Sequence, residues 1–379
     1  MRHVEIAGAG FAGMTAAIAF AQRGWSVRLH ERAPEPRAFG AGIFIWENGL
    51  RVLQAAGALD AAMRNMHEAP NYWVRDEHGG IVGEYFFGPE AGTRMITMTR
   101  QNLHMALLEA VLRAGVDLQC GSEAVGADAE GVLHMADGRA LRADLVVATD
   151  GVNSKVRDSL DLLETRQQTG YGAVRLLLPR SAEEVASVEG NAVIYNRDAG
   201  SRRLLQVPCD RENLYLCFTT RADDEAGREL PIARESWARS FPRLRPLLDR
   251  VGDQGRWDLF EVTKLSSWSR GRVAIVGDAA HSMTPALGQG AGCAMMNALS
   301  LASYVSQAAD IGEGLRQWEA LERPLTEHTQ DYALKLTLGS VAASAGGTKW
   351  TREAMRTAVH VPIGTGDSSP NQEEVPVCM

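Results

Sequence analysis

Apolar and polar positions fall along the chain in two kinds of block, short continuous apolar runs that suit buried strands and longer stretches with a helical period. His3–Ala7 reads as a buried strand, and Gly8-Ala-Gly10-Phe11-Ala12-Gly13 leads from it into an Ala-rich helix ending near Gly24. Val27-Arg-Leu-His-Glu31 suits a second parallel strand, so the opening is a βαβ unit. Thr99 is placed to cap a helix over Arg100–Arg113, where Leu103, Leu107, Leu108, Val111 and Leu112 keep a helical period; a short strand at Val116–Leu118 should follow. Between Val132 and Ala140 two short strands flank Asp137-Gly138, a hairpin signal, so a small antiparallel element is expected to interrupt the parallel sheet. Leu145–Ala148 and Arg272–Val276 read as further buried strands. From Tyr171 to about Phe218 the pattern changes to strand-like runs separated by turn residues such as Asn196–Gly200, and this second sheet continues at Trp257–Lys264. The chain after Pro285 is mainly helical through about Ser340, and from Gly364 it lacks apolar periodicity and reads as a loose tail.

At 379 residues the chain exceeds what one hydrophobic core comfortably supports, which favours two interlocked lobes, one for a nucleotide and one for a substrate. The net charge of −8 is spread through interspersed charges, which argues against a nucleic-acid or anionic-membrane surface. No uncharged segment reaches the roughly 18 residues of a spanning helix. Cys120, Cys209, Cys217, Cys293 and Cys378 are scattered without metal-ligand spacing and read as reduced and structural. With glycines of the fold following so closely on Val4, no leader is expected, and the cytoplasm is the expected compartment.

Gly8, Gly10 and Gly13 match a dinucleotide fingerprint in which the first glycine allows a tight turn, the second a close approach of pyrophosphate to the backbone, and the third close packing of helix on strand. The amides at the helix N-terminus hold the phosphate. Glu31 stands about 20 residues beyond the middle glycine, where an acidic residue takes the ribose hydroxyls. A plain Gly-rich turn is the alternative, and it leaves Glu31 unexplained. No metal cluster, nucleophile elbow or Ser/His/Asp arrangement is visible in the sequence, which leaves the chemistry to a cofactor.

Two further stretches complete a set. Ala148-Thr-Asp150-Gly151-Val-Asn-Ser154-Lys-Val-Arg157 and Gly277-Asp278-Ala-Ala-His281-Ser-Met-Thr-Pro285-Ala-Leu-Gly288-Gln-Gly290-Ala291-Gly292 each follow an expected strand. With the opening glycines they resemble, in order, the three signatures of the single-component (group A) FAD-dependent aromatic hydroxylases. The resemblance implies an α/β fold: a Rossmann-like FAD-binding domain (1–70, 98–168 and 265–340), an inserted mixed or antiparallel-sheet substrate domain (71–97 and 169–264), and a C-terminal helix and loose tail (341–379). It also implies non-covalent FAD, NADH or NADPH as reductant, O2 as co-substrate and no separate reductase. The choice between NADH and NADPH stays open, as does the oligomeric state.

FAD contacts implied by the resemblance fall on Gly8, Gly10, Phe11, Ala12, Gly13, Glu31, Arg32, Gly42, Ile43, Arg100, Asp150, Gly151, Asp278, Pro285, Gly288, Gly290, Ala291 and Gly292. Arg100 corresponds to the arginine that reaches the FAD phosphates, though a solvated helix arginine is the alternative, and Asp150 to a residue associated with both pyrophosphate and NAD(P)H. Arg157 and His281 read as structural. Gly292 and Asn297 depart from the family's usual Asn and Asp. These departures, with Phe39–Ile43, Trp46–Leu53 and Thr263–Trp268, are shared with a subgroup that oxygenates and opens a pyridine ring.

By resemblance to that subgroup, Tyr72, Arg175, Arg203 and Tyr215 line the substrate pocket and Pro285 shapes its wall beside the flavin. A guanidinium grips a carboxylate bidentately, so two cations and two phenols suit an anionic hydroxyaromatic acid. The arginines as surface residues and the tyrosines as core aromatics remain the alternatives. Phe260 stands where the subgroup has tyrosine. The implied reaction is oxygenation of a 3-hydroxypyridine carboxylate such as 5-hydroxynicotinate, with ring opening left undecided. A benzenoid hydroxy acid is the other substrate, and a nicotinamide dehydrogenase or a related flavoprotein such as a halogenase the rival activity.

Overall fold

A computed structural model describes residues 1–37, 40–85 and 94–339. Phe39 and the helix and tail expected over 341–379 lie outside the described residues, as does Cys378. The strands are β1 His3–Ala7, β2 Ser26–Glu31, β3 Gly42–Trp46, β4 Tyr72–Arg75, β5 Ile81–Tyr85, β6 Met95–Thr99, β7 Asp117–Cys120, β8 Ala124–Asp128, β9 Val132–Met135, β10 Ala140–Arg142, β11 Leu145–Ala148, β12 Leu163–Pro179, β13 Val193–Arg197, β14 Arg203–Pro208, β15 Asn213–Arg221, β16 Trp257–Leu265, β17 Ser269–Arg270 and β18 Val273–Ile275.

The nucleotide lobe is built on a sheet of order β17-β18-β11-β1-β2-β7, parallel throughout except for the β17–β18 pair. Its central strand Leu145–Ala148 is apolar and buried at every position, as a strand covered on both faces must be. The helix Phe11–Gln22 packs on Gly290–Gln307, the two helices whose N-termini carry the first and third motifs. The helix Arg100–Arg113 forms where its period predicts, with the Thr99 hydroxyl accepting from the Asn102 amide. The strand expected at Val116–Leu118 lies slightly later, at Asp117–Cys120, where it pairs with β2. The Asp137-Gly138 hairpin forms, but it does not interrupt the parallel sheet. With β8 it makes a separate sheet of order β10-β9-β8.

In the second lobe the sheet order is β16-β12-β15-β14-β13-β4-β5. Alternation assigns its two faces. Val174, Leu176, Leu178, Leu204, Leu214, Leu216 and Phe218 point to one side and pack with Trp237 of the helix Arg234–Ser240. Phe218 meets the fully buried Trp237 edge-on at 5.0 Å, and an indole so placed contributes about 3–5 kcal/mol. The other side carries Val193, Val207, Tyr215, Cys217 and Phe260, which pack with Ala41, Trp46 and Met95 of the first lobe. The sheet of the second lobe is therefore covered by its own helices behind and by the nucleotide lobe in front. The antiparallel ribbon of β3 and β6 fills the junction.

Strand β12 runs through the boundary between the lobes and changes its pairing with β16 between Gln168 and Gly172. Gly170 takes φ of 72° there, and a side chain on Gly172 would meet the Trp257 ring at 2.5 Å.

Candidate FAD and substrate site

The three glycines of the opening turn have separable roles. Gly8 takes φ of 101°, and a Cβ on it would meet the Thr149 carbonyl oxygen at 2.6 Å; one on Gly13 would meet the Gly8 oxygen at 1.9 Å. Both are demanded by the chain's own packing. Gly10 adopts φ of −77°, and a Cβ there meets nothing within 4 Å. Its missing side chain leaves open space at the N-terminus of the helix Phe11–Gln22, where an anion can approach the amides. Ala12 is buried and faces Gly277, bringing the first and third motifs together.

Beside this space Glu31 accepts from the Ala9 amide at 3.1 Å and the Ala33 amide at 2.9 Å, which fixes its carboxylate at the end of β2. Arg32 follows it, exposed. The Thr149 hydroxyl lies 2.8 Å from both the Ala7 and Gly8 oxygens and ties the turn to β11, a role that nothing in the sequence signalled. The structure also assembles an arrangement that was not visible in the sequence: Ser122 Oγ lies 2.8 Å from His30 Nδ1, and His30 Nε2 lies 2.7 Å from Glu5 Oε2. All three are buried, two of them on β1 and β2 and Ser122 just after β7, so the bonded series serves to brace β1 and β2 beneath Glu31.

Arg100 crosses the cleft from the start of its helix. Its guanidinium carbon sits 4.8 Å over the Phe11 ring, and its buried Nε has no hydrogen-bond partner among the described residues. Burial pushes the Arg100 pKa down, and the charge of Asp278 opposes that shift. Gly40 takes φ of 92°, and a Cβ on it would meet the Arg100 Cδ at 2.9 Å, so glycine lets the arginine pass. Asp278 opens the short helix after β18; desolvation raises its carboxyl pKa against the pull of Arg100. Its side chain still reaches solvent, so it lines a deep cleft rather than a sealed core. A half-buried guanidinium with an orphaned Nε, an accessible carboxylate and an open glycine around one cleft fit the phosphates and hydroxyls of a dinucleotide.

Asp150 is engaged internally. Its Oδ1 accepts from the Ser154 hydroxyl at 2.5 Å and its Oδ2 lies 3.4 Å from the Val156 amide; desolvation raises its pKa. It shapes the turn that presents Gly151 at φ of 85°. Arg157 is buried and structural: its Nη1 donates to Val152 O and Ala279 O, both at 3.1 Å, and so ties this turn to the helix at Asp278.

Pro285 starts a 3-10 turn that Gly288 closes in the left-handed region, after which Gly290, Ala291 and Gly292 form the first turn of an 18-residue helix. Sequence reasoning missed how this loop is held. Asn48, fully buried on the helix Glu47–Ala55, donates to Gln289 Oε1 at 3.1 Å, and Trp46 Nε1 donates to Leu287 O at 3.1 Å. A Cβ on Gly292 would lie 3.2 Å from the Asn48 carboxamide, so the glycine leaves Asn48 its place. Gly42 and Ile43, on β3, face the same junction. Asn297 lies farther along the helix, where it contacts His281 Nε2 at 3.0 Å and Thr326 Oγ1 at 3.1 Å. Burial lowers the His281 pKa to about 4, which leaves the ring neutral and structural at neutral pH.

The residues expected to line a substrate pocket converge through strand register. Tyr72, Val193, Val207, Tyr215 and Leu177 form one row across β4, β13, β14, β15 and β12; Tyr195, Leu205, Cys217 and Arg175 form the next. All face the nucleotide lobe. A Cβ on Gly42 would meet the Tyr215 ring at 2.4 Å, so glycine is needed there for the lobes to close. Arg175 lies with its guanidinium carbon 5.5 Å from the Phe260 ring centre and its Nη1 3.4 Å from Asp258 Oδ2. Burial alone would lower its pKa, but Tyr215, Cys217 and Asp258 more than offset that and raise it. Desolvation raises the pKa values of Tyr72 and Tyr215.

Arg203 shares the face but is engaged at the turn before its strand. Its Nη1 donates to Gly200 O at 3.1 Å and Arg202 O at 3.0 Å, with Asp198 at 3.9 Å. It lies two strands from Arg175 and a row away on the same face. Tyr195, which carried no motif, joins the phenols on this face.

A two-lobed fold with a glycine-turn cleft opening onto a mixed sheet defines a flavin-dependent aromatic hydroxylase, and the comparisons agree. Residues 1–313 match the family described as FAD binding domain, and the chain belongs to the single-component FAD-dependent aromatic hydroxylases; it is an FAD-dependent monooxygenase. It is 40% identical over 378 residues to a putative 2-heptyl-3-hydroxy-4(1H)-quinolone synthase of Rhodococcus erythropolis, covering 97% of this chain and 98% of that protein. Against 6-hydroxynicotinate 3-monooxygenase of Bordetella bronchiseptica the identity is 30% over 322 residues, 80% of this chain and 82% of the relative. The structure superposes on 2-methyl-3-hydroxypyridine-5-carboxylic acid oxygenase with a TM-score of 0.87 and 42% identity, over 96% of this chain and 97% of that one. Enzymes of this class take NAD(P)H and O2. Among the described residues no helix is long and apolar enough to cross a membrane.

Proposed function

We propose that this monooxygenase oxygenates a nitrogen heteroaromatic ring carrying a ring oxygen, held by that oxygen against Arg175. The observation that carries this reading is the position of Arg175 on the face between the lobes, flanked by Tyr215 and backed by Phe260. In this reading Gly10, Arg100 and the turn at Gly8–Gly13 take the FAD pyrophosphate. Glu31 and Asp278 take ribose or ribityl hydroxyls, and the helix opening at Gly290 faces the flavin pyrimidine with its positive end. Bound FAD, reduced by NAD(P)H, supplies the activated oxygen. Arg175 donates to the ring oxygen and favours its anionic form, which enriches the neighbouring ring carbon in electrons. The close approach of β3 to Tyr215 excludes water from the ring.

A 2-alkyl-4-quinolone is the substrate we put first. Leu177 and Leu205, partly exposed on this face, offer apolar surface to an alkyl chain, and Asp258 tempers the charge of Arg175. The quinolone synthase likeness extends over nearly the whole chain. A 3-hydroxypyridine carboxylate such as 5-hydroxynicotinate is the second reading, favoured by the similarity to the pyridine-acid oxygenase and by Arg203 on the same face. Both rings carry an oxygen beside an oxidisable carbon. Adding 2-heptyl-4(1H)-quinolone to the holoenzyme should accelerate NAD(P)H oxidation by at least about tenfold, since idle flavin would otherwise waste reductant as peroxide. A preference for a simple hydroxybenzoate over both heterocycles would overturn the reading.

A further inference from the structure

Strand β16 brings a carboxylate to the pocket that no motif marks. Asp258 pairs with Ala173, two residues from Arg175 on the same face of the sheet, and Phe260 follows it two positions on. Its Oδ2 stands 3.4 Å from Arg175 Nη1, while its Oδ1 is held at 2.7 Å by Nε of the exposed Arg256. Arg256 thus anchors the carboxylate from the solvent side.

The distance to Arg175 matters. A tight charge-assisted bond between guanidinium and carboxylate measures about 2.7–2.9 Å and consumes donors. At 3.4 Å the negative charge is felt without a full bond, so Arg175 keeps N–H groups available to a ligand while much of its field is cancelled. The side chains are 23% and 33% exposed, so water screens part of the interaction but not all of it.

We infer that Asp258 determines the charge selectivity of this pocket: it keeps Arg175 a hydrogen-bond donor to a neutral or delocalised ring oxygen while disfavouring a ring carboxylate at the same place. The inference rests on the reading that the substrate ring binds against Arg175. A ligand carboxylate at Arg175 stands close to the Asp258 carboxylate, a like-charge pair that works against binding. The oxygen of a quinolone, with its charge delocalised over the ring, meets less opposition and takes the N–H bonds. Phe260 adds a flat apolar surface beneath the guanidinium in place of a further polar group.

The test compares two ligands on the FAD-loaded parent and on Asp258→Asn, which keeps the size of the side chain and removes its charge. Binding of 2-heptyl-4(1H)-quinolone and 5-hydroxynicotinate is read by titrating the flavin absorbance. The expected result is that 5-hydroxynicotinate binds about tenfold or more tightly to the variant while quinolone affinity changes less than about threefold, so that the ratio of the two moves by an order of magnitude. Asp258→Glu, which restores the charge, should return the ratio toward that of the parent. An unchanged ratio, or equal weakening of both ligands, overturns the inference and makes Asp258 a merely structural partner. If the parent binds neither ring, the reading of the site fails and the inference falls with it, an outcome distinct from binding with an unchanged ratio.

Discussion

Gly10→Val should fold with nearly the parent apoprotein's stability and yet hold no FAD at concentrations that saturate the parent. The backbone there is compatible with any residue, at φ of −77°, and an added Cβ meets nothing within 4 Å. The cost to the apoprotein should therefore stay below about 1 kcal/mol, as for a substitution that buries and breaks nothing. A branched side chain would instead fill the space in front of the helix amides and displace the pyrophosphate. FAD affinity should fall at least about 100-fold, equivalent to about 2.7 kcal/mol. Gly13→Val is the contrast: its Cβ would begin 1.9 Å from the Gly8 oxygen, so the fold itself should fail. Thermal unfolding of the apoproteins and FAD titration separate the two effects. An FAD affinity for Gly10→Val within threefold of the parent would remove the pyrophosphate from this turn.

Arg175→Met should spare the flavin and lose the substrate. Methionine keeps much of the length and the contact with Phe260 but removes the charge and the donors. Truncating one partner of a buried hydrogen-bonded charge pair costs about 2–5 kcal/mol, and a loss of that order in substrate affinity is expected here. Because Arg175 belongs to β12 in the sheet of the second lobe, the amount of FAD bound per chain should match the parent. Substrate-stimulated NAD(P)H oxidation should fall to the rate without substrate. Equal substrate affinity in the two proteins would exclude Arg175 as the anchor.

Much of the nucleotide lobe was readable in the sequence because its signals are local. The glycine turn, the Thr99 cap and the period of Arg100–Arg113 each span a few consecutive residues and encode one element. The substrate face was readable only in part. Tyr72, Arg175, Arg203 and Tyr215 entered by resemblance, and register puts all four on one face of the sheet. What the sequence could not reveal is how that register spends their side chains. Arg203 is engaged by the Gly200 and Arg202 carbonyls, whereas Arg175 meets Asp258 through a strand that follows far along the chain and pairs across an irregularity. No local pattern encodes such a meeting. The same holds for Asn48 and Gln289, which meet beside Gly292, where a side chain would crowd Asn48, and for Tyr195, which sits in an ordinary alternating strand. The separate sheet of β8, β9 and β10 was misjudged because the hairpin signal specifies a turn and says nothing of which sheet receives it.

If dioxygen is split at a flavin and one of its atoms is placed on a heteroaromatic ring held against Arg175, isotope labelling shows it most directly. The measurement is turnover of the holoenzyme under 18O2 with NAD(P)H and either 2-heptyl-4(1H)-quinolone or 5-hydroxynicotinate, with products weighed by mass spectrometry and reductant consumption followed in parallel. The expected result is one 18O atom from dioxygen in the ring product for each NAD(P)H consumed, with little hydrogen peroxide. Reductant consumed with all the oxygen recovered as peroxide and no label in any ring product would contradict it and make the protein an oxidase.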